Sequence, residues 1–355
     1  MNSVILNDIH AVIADSDYEK TLAGKTVMVA GATGHIAKYF TYYLLELNRV
    51  KKAGVKIIML ARSMAKVEAA YGEYLNDEGV EVLLQDICDE LTYEDHVDYI
   101  FHAAGAASAA AIRANPLGII KANTQGTMNV AEFAGRKGAC VVFPSTREIY
   151  GKVDGKERIT ESDMGTMDPL DSRSCYPESK RMAEAILESA RRQYGLDYRI
   201  LRIAHTYGPA MSIQADGRVM ADFVGAVVGG QDIVLNSDGS AVRGFCYVSD
   251  TIRGILDAMT KSEPCKAYNL ANETDPQMIR DVAKLLVSVS GDGSLSVKYK
   301  EADEETKKGY LAYKITRLDT SALEALGWYP QVSLEDGLRR TLSYFREENA
   351  KGSTK

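Results

Sequence analysis

The stretch VMVAGATGHIAKYF does most to narrow the folds open to this chain. A short apolar run, Val27–Ala30, meets a glycine turn and then a helical pattern, so strand, turn and helix follow one another without a spacer. Gly31, Gly34 and Ala37 form a G-x-x-G-x-x-A pattern across that junction. Gly31 permits the tight turn, Gly34 lets backbone amides approach a pyrophosphate at the helix N-terminus, and Ala37 allows helix to pack closely on strand. The pattern alone also fits a plain tight turn. Its placement between strand and helix makes it a dinucleotide-binding loop.

The rest of the chain extends the same alternation. VKIIML, VEVLLQDI, VDYIFHAAG, CVVFPS and YRILRIA read as further strands, and HIAKYFTYYLLEL, IKANTQGTMNVAEFAGRKG and the segment from Tyr176 to about Tyr194 read as helices. This order predicts an α/β fold with a parallel sheet covered on both faces. Residues 1–24 read as a helical arm and 25–204 as the dinucleotide-binding domain, to which 247–260 returns. Beyond residue 204 the pattern loosens. DIVLN and SVKYK suggest short strands, and MIRDVAKLLVSVS and SLEDGLRRTLSYFREE suggest amphipathic helices. Residues 205–246 and 261–355 are therefore assigned to a smaller α/β lobe that covers the substrate. No internal repeat or low-complexity linker is visible.

Composition closes off several functions. With a net charge of -7 the 355-residue chain has no basic footprint for nucleic acid. No apolar run reaches the roughly 18–20 residues that span a bilayer, and the N-terminus lacks the pattern of a secretory signal. The five cysteines, Cys88, Cys140, Cys175, Cys246 and Cys265, show no CxxC spacing. They read as reduced thiols of a cytoplasmic protein, with neither zinc nor disulfides. The five histidines show no metal-ligand spacing either, and no metal site is expected.

Two further segments bear on chemistry. In CYPESKRMAE, Tyr176 and Lys180 are four residues apart, and Pro177 suits the first turn of a helix, so the two side chains share a face. An ammonium near a phenol favours the phenolate. Tyr176 then serves as a base that takes a hydroxyl proton while hydride leaves the same carbon, and Lys180 holds a nicotinamide ribose. At the end of the second strand, where an acid usually grips the ribose 2′-hydroxyl, stand Ala61, Arg62 and Ser63. Arg62 and Ser63 lean toward a 2′-phosphate and NADP, unless Arg62 is a solvated loop residue. Asp86 and Ile87, after the third strand, are placed to meet the adenine, or Asp86 merely ends a strand.

With these residues in place, the chain resembles the extended short-chain dehydrogenase/reductases, in the NAD-dependent epimerase/dehydratase group that modifies nucleotide sugars. The resemblance runs from about Lys25 to Phe345 through GATGHIA, FHAAGAAS, NTQGTMNV, PSTREIYG, YPESK, LRIAHTYGP, DGRVMADFV, SDGSAVRGFCYVSD, AYNLAN and LGWYPQVSLEDGLRRTL. It implies a Rossmann doubly wound sheet with a C-terminal sugar-nucleotide lobe, and a tightly held NAD that is reduced and reoxidised within one turnover. It also implies a homodimer through a four-helix bundle, here using helices near 110–135 and 176–194. By position it places Gly31, Thr33, Gly34, His35, Ile36, Ala103, Ala104, Gly105 and Asn123 around the cofactor, with Asn123 also supporting the active-site helix. Thr146 would bond the sugar 4-hydroxyl, and Arg218 and Arg243 would meet the nucleotide diphosphate or the sugar. Surface ion pairs are the alternative for each arginine, and a helix-surface position for Asn123. His205 replaces the asparagine of N-x-Y-G-P relatives near the substrate phosphates. It either donates there or is a buried, satisfied histidine.

The stretch PSTREIYG bears on the reaction. Oxidation at C4 of a hexose acidifies the C5 proton. A simple 4-epimerase would carry small residues after the Ser-Thr pair, a 4,6-dehydratase an Asp-Glu pair, and a uronate decarboxylase a Ser-Glu pair. Here the pair is Arg147 and Glu148. Glu148 argues against a simple epimerase. Arg147 stays charged at neutral pH and cannot protonate a leaving hydroxyl, but a cation facing the site can bind a C6 carboxylate. The resemblance with these residues therefore points first to UDP-glucuronate decarboxylase-like chemistry, then to a 4,6-dehydratase and a 4-epimerase. That ranking depends on Arg147 facing the site rather than solvent. A non-enzymatic NADP sensor is disfavoured by the intact Tyr176 and Lys180.

Overall fold

The computed structural model describes residues 1–214, 216–300 and 317–352. Its centre is one seven-stranded sheet, with strands β1 (Thr26–Ala30), β2 (Lys56–Ala61), β3 (Val80–Leu84), β4 (Tyr99–His102), β5 (Cys140–Thr146), β6 (Asp197–Ile203) and β7 (Lys266–Leu270). They lie in the order β7-β6-β5-β4-β1-β2-β3, and every neighbouring pair is parallel. The chain winds outward from β1 to β3, then returns to β4 and winds the other way. This leaves a crevice between the carboxyl ends of β1 and β4, the usual ligand position in such sheets.

The strands are apolar throughout because both faces are covered. Val27, Val29, Ile57 and Met59 pack into one core with Phe40 and Leu44 of helix His35–Lys51 and Ile252 and Ile255 of helix Val248–Lys261. Their neighbours Met28, Ala30, Ile58 and Leu60 point the other way, toward Val130 and Phe133 of helix Pro116–Lys137 and Ala183 and Leu187 of helix Cys175–Tyr194. The two covering helices of this second face have legible limits. Asn115 caps the first with its side chain, Pro116 opens it, and Gly138 ends it in the left-handed conformation. Gly195 ends the second in the same way.

Two of the sequence assignments change. The lobe drawn over 261–355 loses Lys266–Leu270, which joins the main sheet beside β6 in the register Lys266↔Arg199 to Leu270↔Ile203. Helix Val248–Lys261 returns the chain to the sheet, and β7 is the short parallel strand it delivers. The N-terminal arm is part of the main core. Ile5, Ile9, Val12 and Ile13 of helix Ser3–Ala14 are buried in it. On the same helix, buried Asp8 accepts hydrogen bonds from Tyr39 at 3.0 Å, Tyr247 at 2.7 Å and Arg340 at 2.8 Å.

The remaining described part of the lobe is made of helices and two-stranded pairs. Ile233–Leu235 pairs with Val297–Tyr299, and Val242–Arg243 with Gln277–Met278. Arg158–Ile159, in the loop after β5, pairs with Arg317–Leu318, which draws that loop against the lobe. No described helix is long and apolar enough to cross a membrane.

Candidate active site

At the crevice between β1 and β4 the backbone itself forms the surface. Gly31 has φ +78°, and a Cβ there would lie 2.8 Å from the Ala104 Cα and 2.9 Å from the Ala103 carbonyl oxygen. Gly34 begins helix His35–Lys51 and supplies no side-chain cap, so Thr33, His35 and Ile36 surround amides open to an anion. Across the crevice, a Cβ on Gly105 would meet the Asn123 Oδ1 at 2.8 Å. That oxygen is buried and has no hydrogen-bond partner, whereas the Asn123 amide donates to Ser179 Oγ at 2.9 Å and ties two helices together. A cradle too tight for side chains, an uncapped helix N-terminus and an unpartnered buried acceptor fit a dinucleotide. His35 is committed elsewhere: its Nε2 lies 3.0 Å from the Pro209 carbonyl oxygen, and burial lowers its pKa to about 3.

At the adenosine end, Arg62 is 78 % exposed and lies 3.6 Å from the Asp86 carboxylate. Asp86 also accepts a bond from the Cys88 amide at 2.9 Å, the chief cause of its lowered pKa. Ser63 Oγ caps the following helix at Lys66. Ile87 is buried against Gly126 of the helix below. The corner that leaned toward NADP on sequence therefore carries a carboxylate beside its arginine, and its serine is engaged as a cap.

The reactive end lies at the carboxyl termini of β5 and β6, where Ser145 pairs with Arg202 and Thr146 with Ile203. Tyr176, in the first turn of its helix, is buried among Ile112, Ile119 and Cys175. Burial is the largest influence on its phenol and raises the pKa well above the usual tyrosine value. Lys180 Nζ donates to the Pro144 carbonyl at 2.9 Å and sits 4.3 Å from the centre of the Phe143 ring. Burial lowers its pKa to about 8. The cations acting most strongly on Tyr176 are Arg218 and Arg173, whereas spacing alone suggested Lys180. The Lys180 ammonium is held back on the strand.

Glu148 stands on a single turn of 3-10 helix, Arg147–Tyr150, whose start is capped by Thr146 Oγ1 bonding the Glu148 amide at 3.2 Å. Its carboxylate is held by Arg173 Nη2 at 3.3 and 3.2 Å. Arg147 is buried, with 4 % exposure, so the alternative in which it points to solvent falls away. Its charge acts on Arg243 and on His205. Arg243 is lowered to about 10, first by burial and then by Arg147. His205 has φ +50°, and its Nε2 is buried without a hydrogen-bond partner. Burial, then Arg147 and Arg243, lower its pKa to about 3, so the imidazole is neutral. Arg218 heads helix Val219–Val228, is held by Asp216 at 3.0 Å, and lies close enough for its charge to act on both His35 and Tyr176.

Sequence reasoning missed Arg173 and Asp216, which hold Glu148 and Arg218. It also missed a polar chain beneath the site. Ser145 Oγ donates to Glu184 at 2.5 Å, Glu184 binds Arg202 at 2.8 Å, and Arg202 reaches the Tyr150 hydroxyl at 2.9 Å. Arg173 had a local signal, three residues before Tyr176 at the mouth of its helix. The Glu184–Arg202 pair joins a helix to a strand and has none.

Comparison with known proteins gives a consistent picture. The sequence model of the NAD dependent epimerase/dehydratase family matches residues 27–271. UDP-glucuronic acid decarboxylase 6 of Arabidopsis thaliana is 30% identical over 88% of this chain and 86% of that protein. UDP-glucuronic acid decarboxylase 1 of Xenopus tropicalis is 29% identical over 91% of this chain and 73% of that protein. Among solved structures, the dTDP-glucose 4,6-dehydratase DesIV of Streptomyces venezuelae, with NAD bound, has a TM-score of 0.76 at 28% identity, covering 92% of this chain and 98% of that one. The UDP-glucose 4-epimerase of Thermotoga maritima, with UDP-glucose, has a TM-score of 0.75 at 26% identity, covering 91% and 99%.

Proposed function

We propose a function from one premise: this chain belongs to the NAD dependent epimerase/dehydratase family. The proposal is that it oxidises C4 of a nucleotide sugar with NAD, and that its reaction is decarboxylation of UDP-glucuronate. The observation that carries the choice is the juxtaposition of Thr146, Tyr176 and Glu148 with a buried Arg147 at one strand end. Similarity of about 30% to UDP-glucuronic acid decarboxylases over most of the chain supports it.

A bound nicotinamide supplies the two-electron acceptor that C4 oxidation requires. Gly31, Gly34 and the amides of the following helix would hold its pyrophosphate, and Lys180 and Asn123 would bind toward its nicotinamide ribose. The Arg62–Asp86 pair favours NAD, because a 2′-phosphate would face the Asp86 carboxylate. Tyr176, with Thr146 close by, takes the proton of the 4-hydroxyl. The 4-ketone then lies β to the C6 carboxylate. When the C5–C6 bond breaks, CO2 leaves and the electron pair enters a C4–C5 enolate, which takes a proton at C5. Glu148, a carboxylate while C4 is oxidised, takes up a proton from water and delivers it to C5 in this later step. The turnover closes when C4 regains its hydride and Tyr176 returns the proton to the C4 oxygen. Arg147 orients the C6 carboxylate, with Arg243 and Arg218 on the diphosphate side and the neutral His205 within reach of the charges of Arg147 and Arg243. Over-tight binding of the carboxylate would oppose its loss, so the contribution of Arg147 falls mainly on substrate binding.

The exposed apolar residues Leu117, Ile120 and Met128 on one helix and Met182 on the next support a homodimer through a four-helix bundle. The five unbridged cysteines support a cytoplasmic location.

A 4,6-dehydratase is the second reading, since Glu148 also suits abstraction of the C5 proton. Mass spectrometry of products from UDP-glucuronate and from glucose nucleotides, with NAD and with NADP, separates the two. Loss of CO2 from UDP-glucuronate supports the decarboxylase, whereas loss of water from a glucose nucleotide replaces it with the dehydratase. A Tyr176→Phe protein should retain cofactor and lose turnover by about 10²–10⁴-fold; undiminished turnover would remove Tyr176 from its role.

A further inference from the structure

Two groups in this site need negative charge at neighbouring positions. Tyr176 works as a phenolate and Glu148 as a carboxylate, and in a buried site each anion opposes the other. Glu148 is the strongest single charge opposing ionisation of Tyr176, and Arg173 acts on the same phenol in the opposite sense. Arg173 is also the residue that binds Glu148, through one terminal nitrogen shared between both carboxylate oxygens at 3.3 and 3.2 Å. The pair is mostly shielded, with side-chain exposures of 18% and 21%, so water screens it little.

Both partners have fixed backbones. The Arg173 amide donates to Asp171 Oδ1 at 2.8 Å, and its carbonyl accepts the Tyr176 amide at 3.2 Å. Ser174, next in the chain, bonds the Asp168 carbonyl at 2.5 Å. The turn that presents Arg173 thus also starts the tyrosine helix. On the other side, Arg181 of that helix donates to the Ile149 carbonyl at 3.1 and 2.6 Å, which holds the short turn carrying Glu148. The two segments are joined by this backbone clamp and by the Arg173–Glu148 pair.

We propose that Arg173 is a positioning residue that orients Glu148 and cancels its charge beside Tyr176, so that the base for C4 oxidation and the group for the following step coexist as anions in one site. This rests on the roles given above to Tyr176 and Glu148, but its test needs no sugar nucleotide. Tyr176 is replaced by 3,5-difluorotyrosine in the full chain with NAD present, and its ¹⁹F shift is followed against pH in four backgrounds. Arg173→Gln should move the phenol midpoint upward by about one unit, and Arg173→Lys should restore most of it. Glu148→Gln alone should move the midpoint downward, and adding it to Arg173→Gln should return the midpoint toward the parent value. A midpoint that is the same in every background overturns the proposal. So does a phenol that titrates in none of them, or an Arg173→Gln midpoint that adding Glu148→Gln fails to bring back toward the parent value. Should Arg173→Gln not fold, the Glu148→Gln and Arg173→Lys proteins decide the matter. Because the readout is the phenol itself, failure of UDP-glucuronate as a substrate leaves this test unaffected, and a null titration leaves the product assay standing.

Discussion

The two ends of the site are built from different material. The crevice between β1 and β4 is shaped by backbone: Gly31 and Gly105 leave no room for side chains, and an uncapped helix presents its amides. The end at β5 and β6 is shaped by side chains from distant segments, with Arg147 and Glu148 after β5, Arg173 and Tyr176 at a helix start, His205 after β6, and Arg218 and Arg243 in the lobe. A dinucleotide presents the same phosphates wherever it binds, so a backbone mould serves it. A choice among reactions at C4, C5 and C6 depends on charge and proton position, which only side chains adjust. The difference shows how one fold can keep a cofactor mould while the side chains at the other end set the reaction.

The contrast can be broken at either end. The largest effect is expected from Gly31→Val. Its branched side chain would collide with the Ala103–Ala104 backbone at a positive φ that valine resists, and the purified protein should carry no cofactor by absorbance or mass. Retained cofactor would show that the backbone mould is not what holds it. Glu148→Gln keeps the shape of the substrate end and removes its charge. Single-turnover cofactor reduction should persist while product formation falls by about 10²-fold or more; equal losses in both would place Glu148 in the oxidation step itself. If Arg147 binds the C6 carboxylate as proposed, Arg147→Ser should raise KM for UDP-glucuronate about tenfold or more, with a smaller change in kcat. An unchanged KM would exclude Arg147 from the carboxylate.

The smallest effect lies away from both ends, where helix Val248–Lys261 meets the segment around Val332. Asp250 is buried, accepts the Val332 amide at 3.0 Å, and is raised by burial to about 6 from 3.8. Between those values the folded protein binds more protons than the unfolded chain, so Asp250 costs stability as pH rises from about 4 to about 6, and the cost levels off above that. Asp250→Asn should flatten this slope. Its Tm relative to the parent should rise by about 2–4 °C between pH 4.5 and pH 7, and parallel melting curves at both pH values would remove Asp250 as the source.

The alternating α/β class and the parallel sheet were readable without coordinates because they rest on local order. Val27–Ala30, Gly31–Gly34 and the helix after them form a contiguous unit whose geometry is set by glycine freedom, apolar runs and caps. Tyr176 and Lys180 were readable for the same reason, since one helix carries both. Tertiary structure alone decided that Lys266–Leu270 completes the sheet, that helix Ser3–Ala14 is fastened through Asp8, and that Arg147 is buried. It also decided that Arg173 grips Glu148 across 25 positions and that Arg218 reaches toward Tyr176 from another lobe. These depend on which segments the strand order brings together at the carboxyl edge. The energy of a charge there is set by its neighbours and its distance from water, and neither is written in the spacing of residues along the chain.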